Sequence, residues 1–207
     1  MAWSSVHVRI ATPDDLPALL ALGDELREQL LLMDGTARFR ALSPRPALES
    51  RYLEALADPA RHLVVAVGGK DGGQQETLGM ALFTVGSANA LFDLPAVHMS
   101  HAVVADRHKR RGAGKALVAA ATAFADEQGI EQLVVSVHPG SRDANRFFAR
   151  LGFAPLAVRR VASVAVVRRR LSAGERVVDR VVQRRPRRPG RVPRRPLGPA
   201  VTDRDPS

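Results

Sequence analysis

The chain has 207 residues, 45% of them hydrophobic, no cysteine and a formal charge of +10. That length suits one globular domain with an appendage, and the missing cysteines exclude disulfides, thiolate metal sites and a cysteine nucleophile. No apolar run approaches the ~18 residues that span a bilayer, and "MAWSSVHVRIATPDD" opens without a basic-then-apolar leader, so a cytoplasmic chain with no membrane partner is expected.

"VHVRI" (Val6–Ile10) alternates like a strand. "TPDD" then starts a helix. Thr12 can cap, Pro13 suits the first helical position, and Asp14 and Asp15 favour the positive end of the dipole. Leu16, Leu19, Leu20, Leu22, Leu26 and Leu30 recur at helical spacing. A second helix is predicted from about Pro46 to Ala57, stopping before Pro59. Strands His62–Val67 and Leu78–Val85 flank a glycine-rich turn, and Ala96–Ala105 reads as a third strand of this group. An alanine-rich helix begins near Gly114 and ends at Gly129. "EQLVVSV" (131–137) is a strand, and "SRDANRFFARLG" a short helix capped by Ser141. "FAPLAVRRVASVAVVRRRL" reads as one or two closing strands, which could also pair between subunits of a homodimer. The order is that of a layered α/β domain with a mixed central sheet, helices on both faces, over residues 1–171.

From Ser172 the composition changes. Residues 172–207 are Arg- and Pro-rich and are expected to form a disordered tail. Residues 168–207 hold 13 Arg against four acidic residues, a net of +9, leaving +1 on residues 1–167. The overall charge therefore says little about what the globular part binds. The tail suits a polyanion, so nucleic acid is a partner through the tail alone. No aromatic residue interleaves it for base stacking.

Between the third strand and the alanine-rich helix lies "DRHKRRGAGKAL". The first amides of a helix lack intrahelical partners and carry the dipole's positive end. Gly112 and Gly114 let a ligand approach the backbone, and Arg110, Arg111 and Lys115 add charge. A diphosphate fits such a site. Two common phosphate loops fail on spacing. A P-loop would need Gly where Lys109 stands and Ser or Thr where Ala116 stands. The dinucleotide fingerprint would need Gly in place of Leu117.

What the loop does resemble is the acetyl-CoA pyrophosphate loop of the GCN5-related N-acetyltransferase (GNAT) superfamily. The pattern Arg/Gln-x-x-Gly-x-Gly/Ala is matched by Lys109-Arg110-Arg111-Gly112-Ala113-Gly114. "SRDANRFFARLGF" is similar to the family's Asn-x-x-Ala-x-x-Phe-Tyr-x-x-Leu-Gly-Phe, and "VRIATPDDLPALL" is a typical opening. The resemblance covers about residues 6–170. It implies the GNAT acyl-CoA N-acyltransferase fold, with a V-shaped split between strands 96–105 and 131–137. It also implies acetyl-CoA as co-substrate, no metal, and a small-molecule or peptide amine as acceptor. The pantetheine arm would pair with backbone of Val103 and Val104, and the diphosphate would sit on the amides of Arg110 to Lys115, including Ala113.

The match has three departures. Lys109 replaces the usual Arg or Gln. Ser141 replaces an Asn that often contacts the cofactor arm. Phe148 stands where the family has the Tyr that protonates the departing thiolate, and the only tyrosine is Tyr52. His98 falls where histone acetyltransferases of the family have a Glu base and where serotonin N-acetyltransferase has the first of two His, and Ser100 falls at the second of those; His101 is a further imidazole on the strand. By strand parity His98, Ser100, Ala102 and Val104 are expected on one face. Glu25, Glu28, Asp34 and Glu49 lie in the first two helices and offer charge to a cationic amine. Two other functions stay open: an acyl-CoA-binding or regulatory module with weak catalysis, suggested by Phe148, and a nucleic-acid-associated protein acting through the tail.

Overall fold

The computed structural model describes residues 6–34, 45–69, 75–89, 91, 93–157, 160 and 162–172. The chain divides into two units, between Ala154 and Pro155. The first holds a five-stranded sheet in the order β1-β2-β3-β4-β5. Its strands are β1 (His7–Ile10), β2 (His62–Gly68), β3 (Glu76–Asn89), β4 (Leu94–Val104) and β5 (Leu133–Val135). The first three pairings are antiparallel and β4–β5 is parallel. Two helices join β1 to antiparallel β2, direct links join β2 to β3 and β3 to β4, and one helical crossover makes β4–β5 parallel, so the sheet is mixed.

Helices α1 (Leu16–Asp34) and α2 (Arg45–Ala57) cover one face, and α3 (Ala113–Glu127) covers the other. The first core joins Leu19, Leu22 and Tyr52 to Leu63, Val65, Val67, Met80 and Val103. The second joins Leu117, Val118, Ala121 and Ala125 to Val64, Ala66, Phe83, Val97 and Met99. β2 sends alternate residues into the two cores, which is why "LVVAV" is apolar throughout. At Gly23 a Cβ would lie 2.6 Å from the Tyr52 hydroxyl, so glycine lets α1 meet α2 over that ring.

The entry to α1 is fixed by charge. Pro13–Asp15 form a 3₁₀ turn ahead of α1. Asp15 is 7% exposed; its carboxylate accepts from Arg9 Nη1 and Nη2 at 2.6 and 2.8 Å and from the Thr12 amide at 2.8 Å. The Arg9 guanidinium is the main reason its carboxyl is held below the usual range, and it prevails over burial.

α4 (Arg142–Arg150) completes the first unit. Ser141 precedes it, but its hydroxyl makes no capping bond. Instead Asn145 Nδ2 donates to the Ser141 carbonyl at 2.7 Å. In the second unit, residues 164–172 are helical rather than a closing strand. The β-branched run suggests a strand. Against that, Val164, Val167 and Leu171 make a helical stripe, and Ser163 Oγ accepts from the Val166 amide at 3.3 Å as a cap does. The tail from residue 173 onward, with its expected disorder and polyanion binding, lies outside the described residues.

Candidate active site

β4 pairs with β5 only from Val97 to Met99; the last rung is Ser136 N donating to the Met99 carbonyl at 3.1 Å. Beyond it the two strands part. The divergence coincides with a bulge in β4. Between Met80–Val103 and Leu82–Ser100 the register advances two residues on β3 and three on β4, and His101 takes φ 51°. The bulge reverses the side-chain parity expected for this strand. Ala102 and Val104 pack on the α3 side with Val97 and Met99, while Val103 packs on the α1/α2 side. His98 and Ser100 therefore face the α1/α2 side, opposite to Ala102 and Val104. The Ala105 amide donates to Leu78 on β3 at 2.9 Å. By alternation Val103 also turns its polar backbone toward β3, and Ala102 and Val104 turn theirs to the split.

The chain then makes a 3₁₀ turn, Asp106–His108, and the glycine loop. Arg110 has φ 63° and Gly112 has φ 90°. These left-handed residues turn the loop into the N-terminus of α3. The first amide bonded back within this turn is Ala116, to the Gly112 carbonyl at 2.9 Å. The amides of Ala113, Gly114 and Lys115 thus lead the helix as a set of donors without intrahelical acceptors.

The loop is anchored on both sides. From α1, Glu25 accepts the Asp106 amide at 3.0 Å and Gln29 Nε2 donates to Asp106 Oδ1 at 3.1 Å. From the start of β3, Glu76 pairs with Arg107 at 2.6 Å and with the buried His108 at 3.1 Å. Burial alone would raise the Glu76 carboxyl, but hydrogen bonds from Arg107 and His108 hold it below the usual range.

Split, loop and α4 enclose one cleft of about 560 Å³. Val103, Val104, Lys109, Arg110, Gly112, Ala113, Gly114, Lys115, Ser141 and Phe148 all line it. Arg111 does not; its Nη1 lies 3.1 Å from His108 Nδ1, away from the cleft. His98 is not in the lining either. A family model described as Acetyltransferase (GNAT) family matches residues 28–153, more than half of the chain. The chain belongs to the GNAT acetyltransferase family.

Solved structures of similar fold agree. A transcriptional regulator from Bacillus halodurans C-125 shares 21% identity at a TM-score of 0.59, covering 77% of this chain and 99% of its own. An aminoglycoside N-acetyltransferase in complex with CoA shares 17% at 0.56, covering 77% and 94%. Glucosamine-6-phosphate N-acetyltransferase from Arabidopsis thaliana shares 13% at 0.55, covering 78% and 99%. No curated protein sequence is similar enough to match. The mixed sheet with helices on both faces is thus the GNAT fold, and the family makes this chain an acyltransferase.

Several side chains of this GNAT cleft come from places the sequence does not single out. Met99 and Ala102 on β4, Gln29 on α1, and Asp143, Arg146, Phe147 and Arg150 on α4 also line it. On α4 the signal was present: 143, 146, 147 and 150 form one stripe at helical spacing. Phe147 packs edge-on against Phe148, with centroids 5.1 Å apart, and Phe148 packs likewise on Phe153 at 5.4 Å. Tyr52 is elsewhere. It is buried under α1 with its hydroxyl 3.7 Å from Met80 Sδ, and burial, with Asp24, pushes its pKa up to about 12. It cannot stand in for a tyrosine at position 148.

The imidazoles divide. His98 Nε2 lies 3.2 Å from the Ser87 carbonyl and so carries the proton that donates there, leaving Nδ1 as its acceptor nitrogen. His101 sits in the bulge with its side chain exposed and Nδ1 3.1 Å from Ser100 Oγ; although the residue reaches solvent, desolvation by the protein packed around it shifts its pKa downward, toward the neutral ring. Glu25, one of the acidic residues suited to an amine, is engaged by the Asp106 amide. Among the described residues there is no cluster of His, Asp or Glu able to hold a metal, and no helix long and apolar enough to cross a membrane.

Proposed function

We propose that this protein is an acetyl-CoA-dependent N-acetyltransferase that acetylates a primary amine by direct attack in a ternary complex. The observation that carries the reading is the single cleft joining a split β4 edge to the open amides at the head of α3. The amides of Ala113, Gly114 and Lys115, with Arg110, Lys109 and Lys115 beside them, suit a diphosphate. The backbone of Ala102 and Val104 at the split suits the amide groups of a pantetheine arm, with Val103, Ser141 and Phe148 walling its path. Arg111 supports the site through the loop's backbone and His108.

In the reaction the neutral amine nitrogen attacks the thioester carbonyl. A C–N bond forms, the C–S bond breaks, and CoA leaves as a thiolate. A backbone amide of the split holds the oxyanion. The ammonium proton passes to an imidazole of β4. His98, through Nδ1 on the amine-side face, is the first candidate. His101 is the second, favoured by its neutrality. Phe148 offers no proton, so the thiolate leaves without a side-chain acid at that position. The reaction so written uses no metal. The acceptor is a small-molecule or peptide amine, and a cytoplasmic setting with free acetyl-CoA suits it.

Phe148 also supports a second reading, an acyl-CoA-binding module with little turnover. The discriminating assay is release of the CoA thiol from acetyl-CoA across a panel of amino sugars, polyamines, amino acids and peptides. The chain has no cysteine, so a thiol reagent reads only CoA. Amine-dependent release supports the enzyme. Binding of acetyl-CoA with no release on any amine rejects it in favour of the binding module.

A further inference from the structure

We infer that Arg146 and Arg150 of α4 form a phosphate-monoester subsite that takes the ribose 3′-phosphate of CoA. The inference rests on the reading of the cleft as an acetyl-CoA site. It begins from the position of α4. A Cβ built on Gly114 would lie 3.5 Å from Phe147 Cζ, so the ring of Phe147 flanks the head of α3. Arg146 is its neighbour and Arg150 lies one turn on, and both line the same cleft as Phe147. Both arginines therefore line the cleft on its α4 wall, which Phe147 brings to the head of α3.

Charge matching then separates their role from that of the loop. Lys109 is paired with Asp106 at 2.5 Å. Among the described residues, Arg110, Lys115, Arg146 and Arg150 make no ion pair, and Asp143 is the one acidic residue in the lining. A diphosphate is a dianion, and the open amides of α3 with Arg110 and Lys115 suffice for it. Two arginines remain, spaced i,i+4 on one helix face. A planar guanidinium matches phosphate oxygens in a bidentate manner that a lysine cannot, and a phosphate monoester carries more charge than a diester. CoA has one such group, on its ribose, and it lies on the outer side of the diphosphate from the thioester. Solvated arginines with no ligand would bring no preference between CoA and its dephospho form, which is what the experiment reads.

The test is calorimetric titration of the full chain with CoA and with dephospho-CoA at fixed low salt, beside Arg146→Gln/Arg150→Gln. The wild type should bind CoA about tenfold or more tightly, as charge-assisted hydrogen bonds to one phosphate imply. That preference should shrink with added salt. The double variant should bind the two compounds alike, with a melting temperature showing it folded; both side chains are exposed, so the fold does not depend on them. Equal binding of the two compounds by the wild type overturns the subsite. So does a preference that survives in the variant. Equal binding is also the result if the arginines serve a phosphate on the acceptor amine instead. If the wild type binds neither compound, the reading of the cleft itself fails, and the subsite with it.

Discussion

Gly112→Ala probes the loop at the point where its geometry is most demanding. Gly112 has φ 90° and ψ −11°, and a Cβ built there meets nothing within 4 Å. The substitution therefore adds no clash, and its whole cost is conformational. Holding an L-residue in the left-handed region costs about 1–2 kcal/mol. That strain must appear somewhere. If the loop keeps its shape, the free protein loses the full amount, and its melting temperature falls by roughly 2–4 °C per kcal/mol. If the loop relaxes to negative φ, the free protein escapes the cost. Acetyl-CoA must then restore the loop and binds about 5–30-fold more weakly. With saturating acetyl-CoA the melting temperature falls in either case. Gly114→Ala is the control. Its Cβ meets Phe147 at an ordinary 3.5 Å and Gly114 has no positive φ, so stability should hold, and any loss of affinity should be confined to the room its Cβ takes from the ligand. Calorimetry and thermal unfolding, each with and without acetyl-CoA, make the comparison. If Gly112→Ala changes neither melting temperature nor affinity, the left-handed turn is not what shapes the anion site.

Asp15→Asn should cost about 1–2 kcal/mol at neutral pH, since it removes the charge-assisted pair and turns one of the two acceptor oxygens shared by Arg9 and Thr12 into a donor; Arg9 is 40% exposed, which keeps the figure small. Because the folded carboxyl is held below its usual range, the stability it adds is full above about pH 4 and is lost as pH falls toward the folded value. Acid unfolding curves should show that loss in the wild type and not in the variant; parallel curves would contradict the pairing. Phe148→Tyr places a phenol in the cleft and should raise kcat by about a hundredfold with little change in KM, the low end of what a general acid supplies. An unchanged kcat would mean that thiolate departure never needed that acid. His98→Ala should lower turnover by about a hundredfold while acetyl-CoA affinity holds. If His101→Ala causes the loss instead, the base lies in the bulge, and the acid limb of the rate profile should fall below the ordinary imidazole value, since desolvation by the surrounding protein lowers that otherwise exposed ring.

The parts of the site legible in the sequence are those that depend on local chemistry. The glycine loop was readable because Gly112 and Gly114, a run of cations and an alanine-rich helix follow one another along the chain. The α1 entry was readable because Thr12, Pro13 and Asp15 act within four residues. What escaped depends on contacts across the sheet. The bulge at His101 leaves no mark in "HMSHAVV", yet it flips Ala102 and Val104 to the face opposite His98. Nothing in "RDANRFFAR" places Arg146 and Arg150 in the cleft; that follows from the packing of α4, with Phe147 beside Gly114. Arg111 reads as a phosphate ligand in sequence, whereas its side chain reaches back to His108. Residues 164–172 show the limit of propensity: three valines favour a strand, and the spacing of Val164, Val167 and Leu171 with a Ser163 cap produces a helix instead.

The most direct measurement is calorimetric titration of acetyl-CoA into the full chain and into Gly112→Asp/Gly114→Asp, a variant that puts two carboxylates where the diphosphate would lie. Saturable one-to-one binding by the wild type, lost in a variant that remains folded, is the predicted result. Failure of the folded wild type to bind, or undiminished binding by the variant, would contradict the assignment of this cleft to acetyl-CoA.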